Sequence, residues 1–304
     1  MRKTSAVLAT LSLAVLALTG CTSAPTYDGA ACDRTSDANG IEDAVTVEGE
    51  LGESPDATVY APVKVKKTSF ADITVGEGEA LTSFTQPMVL DIAFFGGDSG
   101  EKVYESEFDG DLSRVHNIDY WTQRSPGLEK VLECATAGTR IVAALTPEDF
   151  GAANVEGFGL DADENVVAVI DILEVHLAHA EGASQFNDAR GLPTVVRAPD
   201  GTPGVIIPDS AAPAEPVTQT LIKGDGAVVE EGSTVISNVM AVGWDDKKVA
   251  SSTWGTDPNI GPAAQELVGA TVGSQLLVVV PGAEGGAATA IVVDILGISP
   301  APAQ

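Results

Sequence analysis

Three cysteines, three histidines and an excess of carboxylates are the reactive side chains of this 304-residue chain. Cys21 closes the run Leu18-Thr19-Gly20-Cys21, behind Arg2, Lys3 and an apolar stretch from about Ala6 to Leu18. A basic start, a short apolar core and small residues before a cysteine match a bacterial lipobox, expected to be cut ahead of Cys21 so that its thiol takes a diacylglycerol; the plainer reading is an ordinary signal peptide with a chance cysteine. Cys32 and Cys134 remain. In an oxidising compartment they can close a disulfide that staples the stem to the body of the chain; otherwise Cys134 is a buried free thiol and Cys32 an exposed one. Glu174, His176, His179 and Glu181 could ligate a metal if they converged. No ligand pattern recurs elsewhere and His116 stands alone, so a solvated linker is the expectation, with no metal and no cofactor. The absence of a Gly-x-Ser-x-Gly elbow, a phosphate loop or paired Cys-x-x-Cys motifs leaves hydrolase, nucleotide and structural-zinc chemistry without support.

The elements that must position any site follow from composition and pattern. Hydrophobic residues make up 44% of the chain, ample for packed cores, and Gly 32 and Pro 17 with runs such as "VVVPG" favour short strands and turns over a helical bundle. Removing residues 1–20 leaves 14 basic against 44 acidic side chains, a formal charge of −30 that argues against nucleic acid and anionic headgroups as partners. No segment is apolar for long enough to span a bilayer. The expected location is therefore the extracytoplasmic face of the cell membrane, with contact through the lipid alone. The stretch 22–44 is small, polar and acidic and reads as a flexible stem.

After the stem the chain repeats itself in a fixed order. "GEGEAL" (76–81) answers to "GDGAVV" (224–229), "KVYESEF" (102–108) to "KVASSTW" (248–254), "LECATAGTRIVAAL" (132–145) to "LVGATVGSQLLVVV" (267–280), and "VIDILEV" (169–175) to "VVDILGI" (292–298). Four blocks in one order make a tandem duplication, the second copy being shorter on both sides of its helical segment. The pattern predicts a signal peptide at 1–20, a stem at 21–44, modules at 45–178 and 191–298 joined by a linker at 179–190, and a tail at 299–304. In the first copy Leu128, Val131, Leu132 and Ala135 fall at helical spacing between Pro126 and Gly138, while "TRIVAAL" and "VVAVIDIL" read as buried strands. The expected fold is α+β, each module a bent antiparallel β-sheet wrapped around one short helix.

At these blocks the chain resembles FKBP-type peptidyl-prolyl cis-trans isomerases, in the tandem lipoprotein form of actinobacteria. The resemblance rests on the Gly-x-Gly turn, on "KVYES" against the family's V-F-D-S-S, on "SPGLEKVLECATAG" against V-I-P-G-W/L-x-x-x-L-x-G, on "LTPEDFG" against I-P-P-x-x-x-Y-G, and on the closing apolar strand. It covers roughly 45–178 and 191–298, and it places the segments 45–62 and 191–208 at the opening strand of each module. It implies isomerisation of prolyl bonds in exported polypeptides, a folding-helper role.

An isomerase of this kind needs no nucleophile. Rotation about the planar amide faces a barrier of about 18–20 kcal/mol, and a dry aromatic pocket that grips the twisted form lowers it. The resemblance puts Tyr104 and Glu105 where the family has Phe and Asp. It puts Leu128 at the pocket floor, Phe150 on the covering loop in place of Tyr, and Phe94 or Phe95 at the position of the strand Tyr. Ala168 stands where the last strand carries Phe. In the second copy Val239, Ala250, Ser251, Ala263 and Ile291 occupy the pocket positions, so any activity is expected in the first. The alternative is a non-catalytic FKBP-like binding or scaffold lipoprotein.

Overall fold

The computed structural model describes residues 25–27, 29–32, 34, 40–186, 190–282 and 286–300. The expected signal peptide, Cys21 and residues 301–304 lie outside them. The chain is mostly β with few short helices, and among the described residues two large antiparallel sheets carry it. The first has the order Ser69–Thr74, Arg140–Leu145, Val166–Val175, Met88–Gly96, Lys102–Glu105. The second repeats that order with Val217–Lys223, Gln275–Val280, Thr289–Ser299, Thr234–Gly243 and Val249–Ser252. It also adds Ala183–Ser184 at one edge and pairs Asn259–Pro262 with the start of Thr234–Gly243. The twice-written apolar segment is thus the inner strand each time: Val169 lies between Val142 and Ala93, and Val292 between Leu277 and Met240.

A strand can be apolar throughout only if both its faces are covered. All nine residues of Met88–Gly96 are buried. Leu90, Ile92 and Phe94 join a cluster with Leu128, Val131, Leu132 and Ile170. Ala93 and Phe95 join another with Ile41, Val45, Val167 and Val169. This second face is roofed by a hairpin, Val45–Glu48 paired with Asp56–Val59, which packs Val47, Ala57 and Val59 onto it. The segment 45–62 therefore does not open the sheet as expected. Gly49 and Gly52, both at positive φ, lie in the connection that turns it back on itself, and Ser69–Thr74 opens the sheet instead. The segment 191–208 behaves alike: Thr194–Arg197 pairs with Pro203–Ile206, and Val195 and Val205 pack with Met240 and Leu277. Each sheet carries a hairpin on one face, rather than being wrapped around a single helix.

The helix expected over 126–138 spans only Leu128–Leu132. Beyond it the backbone is drawn into strand-like bonds with the Gly-Glu-Gly segment: Cys134 N donates to Leu81 O at 3.0 Å and Ala137 N to Glu79 O at 3.0 Å. A second short helix, Ile118–Thr122, precedes it and begins at Asn117, whose side chain accepts from Tyr120 N at 2.9 Å. In the second module only a 3-10 turn, Gln265–Leu267, stands at the corresponding place.

The repeated Gly-x-Gly and Ala-Thr-x-Gly blocks are two halves of one contact. A Cβ on Gly76 would sit 2.0 Å from the Ala137 carbonyl oxygen, and one on Gly224 would sit 2.1 Å from that of Val272. The hydroxyls of Thr136 and Thr271 donate to the Gly76 and Gly224 carbonyls at 2.8 and 2.7 Å.

Asp171 and Asp294, the acids inside the two copies of the inner strand, are fully buried. Asp171 accepts from Arg140 Nε and Nη2 at 2.6 and 2.7 Å and from Gly52 N at 2.8 Å. The same guanidinium donates to the Gly49 and Glu50 carbonyls at 2.8 Å, pinning the hairpin to the sheet. Asp294 accepts from Gln275 Nε2 at 2.7 Å and from Ala180 N at 2.8 Å. Ala180 lies in the stretch expected as a linker. Leu177 N donates to Leu296 O at 3.2 Å, and Val89, Val115, Leu173 and Leu177 pack with Ile236 and Leu296 across the junction. The stem is docked as well. Cys32 and Cys134 form a disulfide across 102 residues, and Arg34 pairs with Asp72 at 2.8 Å while donating to the Val131 and Glu133 carbonyls. Residues 25–27, 29–32 and 34 are thus held on the first module by these bonds, where a flexible stem was expected.

Candidate functional site

Four short elements bring aromatic rings together on the helical side of the first sheet. Phe94 projects from Met88–Gly96, and Tyr104 faces it in register from the edge strand Lys102–Glu105. Phe150 ends the helix Pro147–Phe150, which starts with Pro147 behind Thr146, whose hydroxyl accepts from Asp149 N at 3.2 Å. Gly151 then turns the chain at φ +97° into the helix Ala152–Gly157, and Phe158 follows. The Phe94 and Phe150 rings meet edge to face at 5.0 Å, Phe94 and Tyr104 lie at 5.8 Å, and Phe158 is 5.9 Å from both Tyr104 and Phe150. These are favourable aromatic separations. Leu128 belongs to the same buried cluster. Phe150 is 0% exposed, Leu128 1% and Phe94 7%, whereas Tyr104 is 39% exposed. The expected Phe94, Tyr104, Leu128 and Phe150 are therefore brought together around a closed floor with one open rim.

Two expected members are elsewhere. Phe95 lies on the hairpin side of the sheet, with Lys102 Nζ 6.0 Å from its ring centre. Glu105 stands opposite Ala93 on that same side and accepts from Ser54 Oγ of the hairpin connection and from Lys102 Nζ at 2.9 Å. Desolvation pushes the Glu105 pKa up, but the bonds from Ser54 and Lys102 outweigh it and leave the carboxyl below its ordinary value. Successive strand residues point to opposite faces, so Tyr104 and Glu105 cannot both reach one cluster. Ala168, directly across from Phe94, leaves the room that Phe150 and Phe158 share. Phe158 is outside the expected set because "EGFGL" lies outside the repeated blocks. A single Phe between two glycines was its only signal.

The matching region of the second module is aliphatic. Val239, Ala263 and Ile291 pack with Leu276, Val278 and Ile295, while Ala250 and Ser251 lie on an exposed strand. Its Trp244 and Trp254 sit on the other face. The histidine stretch does not converge: His176 Nδ1 is 3.6 Å from Glu174 and His179 Nδ1 is 3.7 Å from Glu181, and among the described residues no three such groups could hold a metal. Burial lowers the His176 pKa to about 4. A separate cavity of about 1160 Å³ is lined by Tyr27, Glu79, Phe84, His179, Glu181 and Asp200 among others, none of them from the aromatic cluster.

No family model matches the chain, and no curated protein matches it. Solved structures that resemble it include the three FKBP domains of wheat FKBP73, at 11% identity over 76% of this chain and 94% of that one with a TM-score of 0.33. A multi-domain immunophilin from Arabidopsis thaliana gives 19% identity over 32% of this chain and 48% of that one, with a TM-score of 0.25. The N-terminal domain of Arabidopsis thaliana FKBP42 gives 14% over 38% and 97%, with a TM-score of 0.27. Similarity at this level transfers no chemistry to the cluster described above.

Proposed function

We propose that the chain is a folding helper of the FKBP type, exported and lipid-anchored through Cys21, that isomerises prolyl bonds of other exported polypeptides at the aromatic cluster of its first module. The supporting observation is the meeting of the Phe94, Tyr104 and Phe150 rings, 5.0 and 5.8 Å apart, in the cluster that also holds Leu128. An X-Pro bond exchanges over tens to hundreds of seconds because twisting it breaks amide resonance, and water stabilises the planar form. Aromatic walls dry that bond without any proton transfer, and each 1.36 kcal/mol gained by the twisted form is tenfold in rate. The expected acid is on the far face, so the turnover predicted from this cluster is slow. The counterpart region of the second module has no aromatic wall and is assigned no activity.

A second reading, an FKBP-like binder without catalysis, is favoured by the full burial of Phe150 and by the place of Glu105. A protease-coupled assay with an X-Pro tetrapeptide on the mature protein separates the two. Slow activity that Tyr104→Ala lowers at least fivefold supports the isomerase, since Tyr104 is the open edge of the cluster. A rate equal to the uncatalysed one in both proteins supports the binder.

A further inference from the structure

The aromatic cluster is covered by one segment, and that segment is lightly attached. Residues 151–160 leave the body of the module at Gly151, φ +97°, and reach Gly159 at φ +70°, two left-handed positions that glycine adopts without strain. Between them Ala152, Ala153, Glu156 and Gly157 are exposed, and an added Cβ at Gly157 or Gly159 would meet nothing within 4 Å. The helix Ala152–Gly157 is fixed by Val155, which is buried, and by Asn154, whose Nδ2 donates to the Arg124 and Phe150 carbonyls at 2.6 and 2.7 Å. The other attachments are Phe158 and Leu160, both only partly buried against the core. Firm structure resumes at the Asp161–Glu164 turn and the buried strand that starts at Val166.

We infer that residues 152–160 form a lid on this site, and that Phe158 is a built-in plug which an incoming prolyl side chain displaces. Phe158 touches both the open rim, Tyr104, and the buried floor, Phe150, so its ring fills the gap that a substrate would need. The inference rests on the reading of the cluster as a prolyl site, and it explains how a cluster whose rim and floor are bridged by Phe158 can still admit a ligand. A protein that must first open binds more weakly by the fraction of time it is open. Half of a phenylalanine side chain's burial corresponds to about a tenfold population difference.

Two variants test this: Phe158→Ala, which removes the plug, and Asn154→Ala, which cuts two lid bonds without touching a ring. Each is compared with the wild type for X-Pro tetrapeptide isomerisation, for binding of the apolar dye anilinonaphthalene sulfonate, and for amide exchange across 152–160. Near-UV circular dichroism confirms that the fold is kept. About tenfold faster isomerisation, dye binding that Tyr104→Ala abolishes, and faster exchange confined to the lid are expected in both variants. If dye binding and exchange rise while isomerisation stays at the uncatalysed rate, the lid holds and the isomerase reading fails. If both folded variants match the wild type in dye binding and exchange, the lid is overturned, and should Phe158→Ala not fold, Asn154→Ala alone decides.

Discussion

Replacing Arg140 tests the logic of the first module most directly. Its side chain is 5% exposed and that of Asp171 0%, so the pair is cut off from water. Arg140→Ala removes two bonds to Asp171 and two to the hairpin carbonyls of Gly49 and Glu50, leaving the carboxylate with Gly52 N as its remaining donor among these. Breaking a buried pair from one side costs about 3–5 kcal/mol, because a desolvated charge is stranded, against about 1 kcal/mol for an average substitution. The second module supplies the control: at the matching place Gln275 donates to Asp294 at 2.7 Å. Arg140→Gln should therefore recover about 1.5–3 kcal/mol of the loss, the worth of one hydrogen bond to a charged group. Urea unfolding followed by circular dichroism measures both, and amide exchange should quicken across 45–59 in the alanine variant. A loss under about 1 kcal/mol for Arg140→Ala, or a glutamine variant no better than alanine, refutes the reasoning.

Two further outcomes follow from groups outside the aromatic cluster. Cys32→Ser should lower stability by about 2–4 kcal/mol through the lost 102-residue closure, and it should open the chain around Cys32 to proteolysis, which a melting scan and limited digestion would register. His176, whose pKa falls from 6.5 to about 4 on burial, is protonated in the unfolded chain before the folded one between those values, so stability drops as pH is lowered through that window. From pH 7 to pH 5 this amounts to about 2 kcal/mol, and His176→Leu should flatten the wild-type slope by that amount; parallel slopes would contradict it.

The repeated blocks carried much of the architecture. "VIDILEV" and "VVDILGI" are inner strands because only a strand covered on both faces and paired on both sides is apolar at nearly every position. The paired Gly-x-Gly and Ala-Thr-x-Gly blocks were visible too, though not that one packs on the other, since contact between distant segments leaves no periodic trace. Local pattern failed where tertiary bonds decide. The helix after Pro126 stops at Leu132 since the backbone of 134–137 finds partners in the 79–81 segment. The segments 45–62 and 191–208 alternate like sheet strands, but their turns fold them into separate hairpins. At the candidate site, residue types were legible and faces were not: one position along the strand separates Phe94 from Phe95 and Tyr104 from Glu105, and that step decides which pair shares a ring cluster.

The docked stem sets how far the molecule can stray from its anchor. With the lipid on Cys21, as proposed, three residues and so four residue-to-residue steps separate the anchor from Pro25, where the docked stretch begins, and a fully extended chain covers at most about 3.3–3.6 Å per step. The leash is then roughly 14 Å long, less than the diameter of either module. On the proposed anchoring, such a leash would keep the molecule against the lipid surface, within reach of chains still emerging there and not of those that have drifted away.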